Sequence, residues 1–139
     1  GAIGLMQLMP RTAKYIGRKI GIKRTHKSVL TQPKSNIELG SAYLAYLHKK
    51  YQGNKVLATA SYNAGPRRVD SWIPKDHSLP ADQWVDSIPF SETRAYVKAV
   101  LEYTTIFKSL LNKKYDRLKD VMPPIGHPVV GNTTDSSSK

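Results

Sequence analysis

A helical stripe sets the strongest limit on how this chain can fold. After Ser91, the residues Thr93, Val97, Val100, Thr104, Phe107 and Leu111 recur every three or four positions. That spacing is one face of an α-helix and does not match the period-two alternation of a strand. The same rhythm appears upstream. Ala13, Ile16 and Ile20 share a face of a helix that begins at Pro10 and stops at Gly21. Proline suits a first helical position because its missing N–H would be unpaired there anyway, and glycine suits the left-handed residue that closes a helix. Ile37, Gly40, Leu44, Leu47 and Tyr51 mark another helix, opened by Ser35 and Glu38 at capping-box spacing and ended by Gly53. Asn54 caps the next, which holds Val56, Leu57, Ala58 and Ala60. No long alternating stretch reads as a strand. The expectation is an all-α chain whose central buried helix starts after Ser91.

The segments between these helices read as punctuation. Residues 22–34 are polar, carry Pro33 and predict a loop. Tyr62-Asn63-Ala64-Gly65-Pro66 predicts a break and a restart, with Pro66 opening a short helix that contains Val69, Trp72 and Ile73. Residues 74–90 hold Pro74, Pro80 and Pro89 and predict a loop with one helical turn around Trp84. A single domain is expected over residues 1–122. Beyond Pro123-Pro124 the chain turns to Gly, Thr and Ser, so residues 123–139 are expected to form a tail, poorly ordered from residue 125.

Composition narrows the function classes. The 139 residues suit one domain, and a hydrophobic share of 40% supports a core. No run approaches the ~18 consecutive apolar residues of a membrane span. The absence of cysteine excludes disulfides and thiolate metal sites. His26, His48, His77 and His127 lack metal-ligand spacing and read as surface or loop residues, so no metal or cofactor is expected. Lys and Arg number 22 against 10 Asp and Glu, a net charge of +12 that attracts polyanions such as nucleic acid, anionic lipid or bacterial wall polymers. The basic residues read as spread along the chain instead of gathered in one recognition helix, and no nucleic-acid reading motif is present, which argues against a nucleic-acid partner.

Three segments carry a resemblance. Gly1-Ala2-Ile3-Gly4-Leu5-Met6-Gln7-Leu8-Met9-Pro10, Ser61-Tyr62-Asn63-Ala64-Gly65-Pro66, and Ile88-Pro89-Phe90-Ser91-Glu92-Thr93-Arg94 with Tyr96-Val97 resemble, in this order and spacing, the second, third and fourth motifs of the soluble lytic transglycosylases. The resemblance covers roughly residues 1–112. It implies an all-α, lysozyme-like domain of the goose type with a glycan-binding cleft. It also implies cleavage of the β-1,4 bond between N-acetylmuramic acid and N-acetylglucosamine in peptidoglycan. In that reaction the muramic 6-hydroxyl attacks its own anomeric carbon and leaves a 1,6-anhydro end. Such a substrate implies the periplasm or cell envelope of a bacterium, and a monomer is expected.

The resemblance places substrate contacts at Gln7, Met9, Tyr62, Asn63, Glu92 and Tyr96. The residue chemistry is compatible with this. Gln7 can donate to and accept from an acetamido group. Met9 offers an adaptable apolar wall. Tyr62 joins an apolar ring to a polar tip, and Asn63 can bond a turn or a sugar. Glu92 also suits the first turn of its helix, where a negative charge is favoured. Tyr96 lies one turn after it on the same face. Arg94 in that turn is unfavourably placed for the helix dipole, which a carboxylate partner would explain. The family's single catalytic glutamate belongs to a Glu-Ser motif lying shortly before the first of these segments. No Glu-Ser pair occurs in this sequence. The expectation is a chain that starts just after the acid, with no catalytic residue of its own. Glu38 reads as a cap and Glu102 as a helix-surface residue. The alternative reading is a non-catalytic peptidoglycan-binding module of the same fold.

Overall fold

The computed structural model describes residues 1–112 and 122–126. Among them are seven helices and two strands of two residues each. The chain divides into two compact units, Gly1–Tyr62 and Asn63–Lys139.

In the first unit, α1 (Pro10–Ile20) begins at its proline and ends at Gly21, which takes the left-handed conformation at φ 80°. Ala13 and Ile16 are buried, whereas Ile20 is left exposed. The segment expected to be a loop contains a short helix, α2 (Lys27–Leu30). Helix α3 (Pro33–Lys50) starts two residues before the expected capping box. Pro33 opens it for the same reason that Pro10 opens α1. Ser35 and Glu38 thus fall inside the helix and make no cap. The buried face of α3 is also rotated from the one expected. Asn36, Leu39, Gly40, Tyr43 and Leu47 are buried, while Ile37 and Leu44 face outward. Gly53 closes the end of α3 with its N–H on the His48 carbonyl at 2.8 Å. Asn54 caps α4 (Lys55–Ala64), its Oδ1 accepting the Leu57 N–H at 3.1 Å. The core of this unit joins Leu8, Ala13, Ile16, Leu30, Leu39, Tyr43, Leu47 and Ala58.

In the second unit, Gly65 at φ 89° separates the end of α4 from α5 (Pro66–Trp72). The expected break therefore falls at Gly65, and Tyr62 and Asn63 remain helical. The stretch expected to be mostly loop holds β1 (Ser78–Leu79) and two turns of helix in α6 (Ala81–Ser87). Trp84 is fully buried there, and its indole N–H donates to the Trp72 carbonyl at 3.1 Å. Among the described residues helix α7 (Ser91–Asn112) is the longest element, but only its beginning is buried. Thr93 and Val97 are enclosed, Val100 is partly covered, and Thr104, Phe107 and Leu111 are exposed. The reason is length. The seven residues of α6, which packs on α7, span about 10 Å against about 33 Å for the 22 of α7. Strand β2 (Ile125–Gly126) pairs antiparallel with β1, and Ile125 is buried. The expected tail thus enters the described residues only at its start, and the rest of it lies outside them.

Candidate functional site

The first motif is a tight loop. Ile3 and Leu8 exchange backbone hydrogen bonds at 2.9 and 3.0 Å and enclose four residues. Gly4 takes φ 73°, and a Cβ on it would run into the Asn36 amide and come within 2.8 Å of the Leu30 carbonyl. Two side chains hold the loop by one residue, Met6, one at its N–H and one at its carbonyl. Asn36, buried on α3, accepts the Met6 N–H at 2.7 Å and donates to the carbonyls of Ile3 at 2.8 Å and Leu30 at 2.9 Å. Tyr62, near the end of α4, donates its hydroxyl to the Met6 carbonyl at 2.6 Å. Its ring leans on Tyr43, with centroids 5.3 Å apart. Met6 also fills the space over Gly40, where a Cβ would approach it to 2.5 Å.

Next to this clamped residue, Gln7 is held at φ 48°, a left-handed conformation unusual for a residue with a side chain. Its side-chain amide donates to the Gly4 carbonyl at 2.9 Å, and the residue remains exposed. Leu8 turns into the core, and Met9, half exposed, stands at the N-cap of α1. Of the residues expected to contact substrate, Gln7, Met9 and Tyr62 are therefore gathered around one loop. The sequence does not single out Asn36, Met6 or Gly40 as parts of the site. Asn36 gives the one available signal, since it keeps helical spacing with Leu39, Tyr43 and Leu47, but a surface asparagine has the same appearance.

In the second unit, Asn63 and α7 are joined by one hydrogen bond. The Thr93 hydroxyl, buried, donates to the Asn63 Oδ1 at 2.7 Å. Asn63 is thereby tied to the turn that carries Glu92, which is exposed and in no ion pair among the described residues. Tyr96 is half-buried one turn on, and that burial raises its hydroxyl pKa above the usual tyrosine value. Arg94 does not take a carboxylate as its hydrogen-bond partner. It donates to the Ile88 carbonyl at 3.1 Å, bracing the Ile88-Pro89-Phe90 segment. Asp86 pairs instead with Lys98 at 2.7 Å, and that hydrogen bond, with the lysine charge, holds its carboxyl below the usual range. Phe90 lies edge-on to Trp72 at 5.2 Å and beneath the Arg68 guanidinium at 5.1 Å. Glu38, Glu92 and Glu102 are all exposed, so none occupies the buried setting of a proton-donating carboxylic acid.

Comparison with known proteins agrees with these motifs. Residues 1–85 match the family described as Transglycosylase SLT domain, and residues 87–115 match the soluble lytic transglycosylase helical domain. The soluble lytic murein transglycosylase of Salmonella typhimurium is 39% identical over 122 residues, which is 86% of this chain and 19% of the relative. The structure of an inactive mutant of lytic transglycosylase Slt from Pseudomonas aeruginosa superposes with a TM-score of 0.73 at 51% identity, covering 81% of this chain and 18% of that one. A complex of the 70-kDa soluble lytic transglycosylase with bulgecin A superposes at 0.73 and 36% identity, covering 88% and 20%. This chain thus spans about a fifth of the length of these relatives. Its helical fold is the lysozyme-like one that they share.

Proposed function

Because the chain belongs to the Transglycosylase SLT domain family, we propose that it is the sugar-gripping part of a peptidoglycan lytic transglycosylase. The reaction is intramolecular. A carboxylic acid gives its proton to the glycosidic oxygen between N-acetylmuramic acid and N-acetylglucosamine, and the bond from that oxygen to the muramic C1 breaks. The muramic 6-hydroxyl oxygen then bonds C1, and its proton passes to the same carboxylate. One carboxylate returns to its starting state, and a 1,6-anhydro end remains. With no Glu-Ser pair in the sequence, the acid is assigned outside this chain. The residues here bind and orient. Gln7 addresses an acetamido group, Met9 forms an apolar wall, and Tyr62, Asn63, Glu92 and Tyr96 contact sugar. The setting is the bacterial periplasm or envelope, and the protein acts as a monomer on glycan strands.

One observation carries this reading: the backbone of Met6 is held at both ends, its N–H by Asn36 at 2.7 Å and its carbonyl by Tyr62 at 2.6 Å. A left-handed Gln7 is costly and persists only where its surroundings over-determine it. A loop so fixed presents its side chains in one geometry, and positioning of that kind is what a sugar site requires. The absence of a Glu-Ser pair favours a second reading, a non-catalytic peptidoglycan-binding module. The two share the same contacts and differ in whether the parent protein supplies an acid. Titration with bulgecin A, the ligand of the 70-kDa relative, tests the shared part. Saturable binding that weakens in Gln7→Ala and Glu92→Gln is expected. Binding unaffected by both substitutions, or no binding, contradicts it.

A further inference from the structure

The net charge of the chain is not evenly shared. Residues 1–62 hold eleven Lys and Arg and one acid, Glu38, so no Asp or Glu occurs in the first 37 positions. The basic residues themselves are spread along the chain, eleven in residues 1–62 and eleven beyond, but nine of the ten acids lie beyond residue 62, so ten of the twelve net positive charges fall in the first unit. Within it, Arg11, Lys14 and Arg18 follow one another at three- and four-residue spacing along a single face of α1. Like charges at that spacing disfavour the helix, and no acid on α1 offsets them. The helix dipole accounts for cations in the last turn, Arg18 and Lys19, but not for Lys14 in the middle or Lys23 beyond the end.

These cations line a cleft. A cavity of about 440 Å³ is bounded by Lys14, Arg18 and Lys23 together with Gly17, Ile22 and Thr25. The chain comes close at its floor, where a Cβ on Gly17 would lie 2.6 Å from the Thr25 methyl and 2.8 Å from the Ile22 carbonyl. Among the described residues, no acidic group pairs with Lys14, Arg18 or Lys23. Three unneutralised cations around one concavity focus a positive potential there. None of the residues expected to contact sugar borders it.

We propose that this basic cleft is a second binding site, one that takes the carboxylates of the peptide stems attached to the glycan strand. The proposal rests on the sugar-gripping function above and deepens it. Reach within the first unit supports it. Met9 immediately precedes α1, so Lys14 and Arg18 lie about 7 and 14 Å further along the helix axis. A stem of four or five residues extends at most about 13–18 Å. Met9 lies about half a turn round the helix from the Arg11–Lys14–Arg18 face, so a stem held at Gln7 and Met9 passes round α1 to meet that face at Lys14, with Arg18 at the limit of a five-residue stem. The strand is recognised at one end of α1 by its sugars and at the other by its negative charge.

The test compares the anhydro disaccharide carrying a tetrapeptide with the same disaccharide stripped of peptide, each titrated into the intact 139-residue chain by calorimetry. The peptide-bearing ligand is expected to bind about five- to tenfold more tightly, as two or three exposed ion pairs would give. The triple variant Lys14→Gln, Arg18→Gln, Lys23→Gln is expected to erase that difference and leave peptide-free binding unchanged. All three side chains are exposed, and circular dichroism verifies the fold. Raising the ionic strength should shrink the preference in the same way. Equal affinity for the two ligands, or a preference that survives the triple variant, overturns the proposal and leaves the sugar reading standing. If neither ligand binds, the sugar reading fails and the proposal falls with it. Duplex DNA or anionic phosphatidylglycerol vesicles bound more tightly than the muropeptide, and released by the same substitutions, assign the cleft to another polyanion and also overturn it.

Discussion

Asn36 reaches from the buried face of α3 to the motif loop and accepts the Met6 N–H at 2.7 Å. With its two donated bonds to Ile3 and Leu30, this one side chain serves three backbone groups, of which the Ile3 carbonyl also accepts the Leu8 N–H, whereas the Met6 N–H and the Leu30 carbonyl have no backbone partner among the described residues. A buried amide that serves three groups differs from an ordinary core residue, because removing it strands two of them, the Met6 N–H and the Leu30 carbonyl. Asn36→Leu, which keeps the branched shape without the amide, is expected to destabilise the fold by about 2 kcal/mol or more, taking about 1 kcal/mol for each of the two stranded groups as a minimum. Urea denaturation measures this, and a loss below about 1 kcal/mol would show that the loop does not depend on the clamp.

Tyr62→Phe separates the ring from the hydroxyl. The contact with Tyr43 is kept and the 2.6 Å bond to the Met6 carbonyl is lost. The expected cost is about 1–2 kcal/mol, with a larger proportional loss in bulgecin A affinity, because Gln7 is then held from one side only. Unchanged affinity with reduced stability would place Tyr62 in the packing alone.

Gly4→Ala combines two penalties. Gly4 sits at φ 73°, and the added methyl meets Asn36 and the Leu30 carbonyl. The backbone conformation alone costs about 1–2 kcal/mol for a residue with a Cβ, and the collision requires α3 or the loop to move. A clear fall in thermal midpoint is expected. A midpoint within error of the parent would contradict the loop geometry.

Alkaline pH provides an independent check on the tyrosine cluster. Burial, with smaller contributions from Tyr46 and Tyr15, pushes Tyr43 from 10.0 up to about 12. A folded pKa above the unfolded one means that the folded state holds the proton more tightly. The associated stability is therefore complete below pH 10 and is lost as pH rises from 10 toward about 12. Tyr15, exposed beside Tyr46 and Lys19, shifts the opposite way. Tyr43→Phe should flatten the decline in unfolding free energy over that window, and an unchanged slope would contradict the assignment.

Lys14→Glu should separate stability from binding. It removes like-charge neighbours at Arg11 and Arg18 and places an acid four residues before Arg18, the favourable orientation. The fold is expected to gain about 0.5 kcal/mol while the preference for peptide-bearing ligand falls. Lower stability in the variant would mean that Lys14 has a structural role.

Local chemistry is legible in the sequence and long-range packing is not. Pro10, Gly21, Asn54, Gly65 and Pro66 mark boundaries because their own backbone or side-chain chemistry acts within four or five residues. Pro33 is open to the same argument but competes with a capping-box pattern that the helix does not use. The inner face of α3 is ambiguous because Ile37 and Leu44 are as well spaced as Leu39 and Tyr43. The choice between the two faces is made by Asn36, a polar residue whose partners lie up to 33 positions away. The stripe on α7 is correct in period and wrong in extent, since periodicity does not say how much of a helix its neighbours cover. For the site, the resemblance points to Gln7, Met9, Tyr62, Asn63, Glu92 and Tyr96, but the bonds that hold the first three around Met6 span 30 and 56 positions and leave no local mark.

The most direct measurement is digestion of purified peptidoglycan sacculi followed by mass spectrometry for 1,6-anhydro muropeptides. It compares the chain as it stands with the chain extended by the residues encoded upstream of Gly1. No anhydro products are expected from the first and a clear yield from the second, if the proton-transferring carboxylate lies outside these 139 residues as proposed. Anhydro products from the chain alone would overturn that assignment and place the acid on a glutamate within the chain, with Glu92 the first to replace by glutamine.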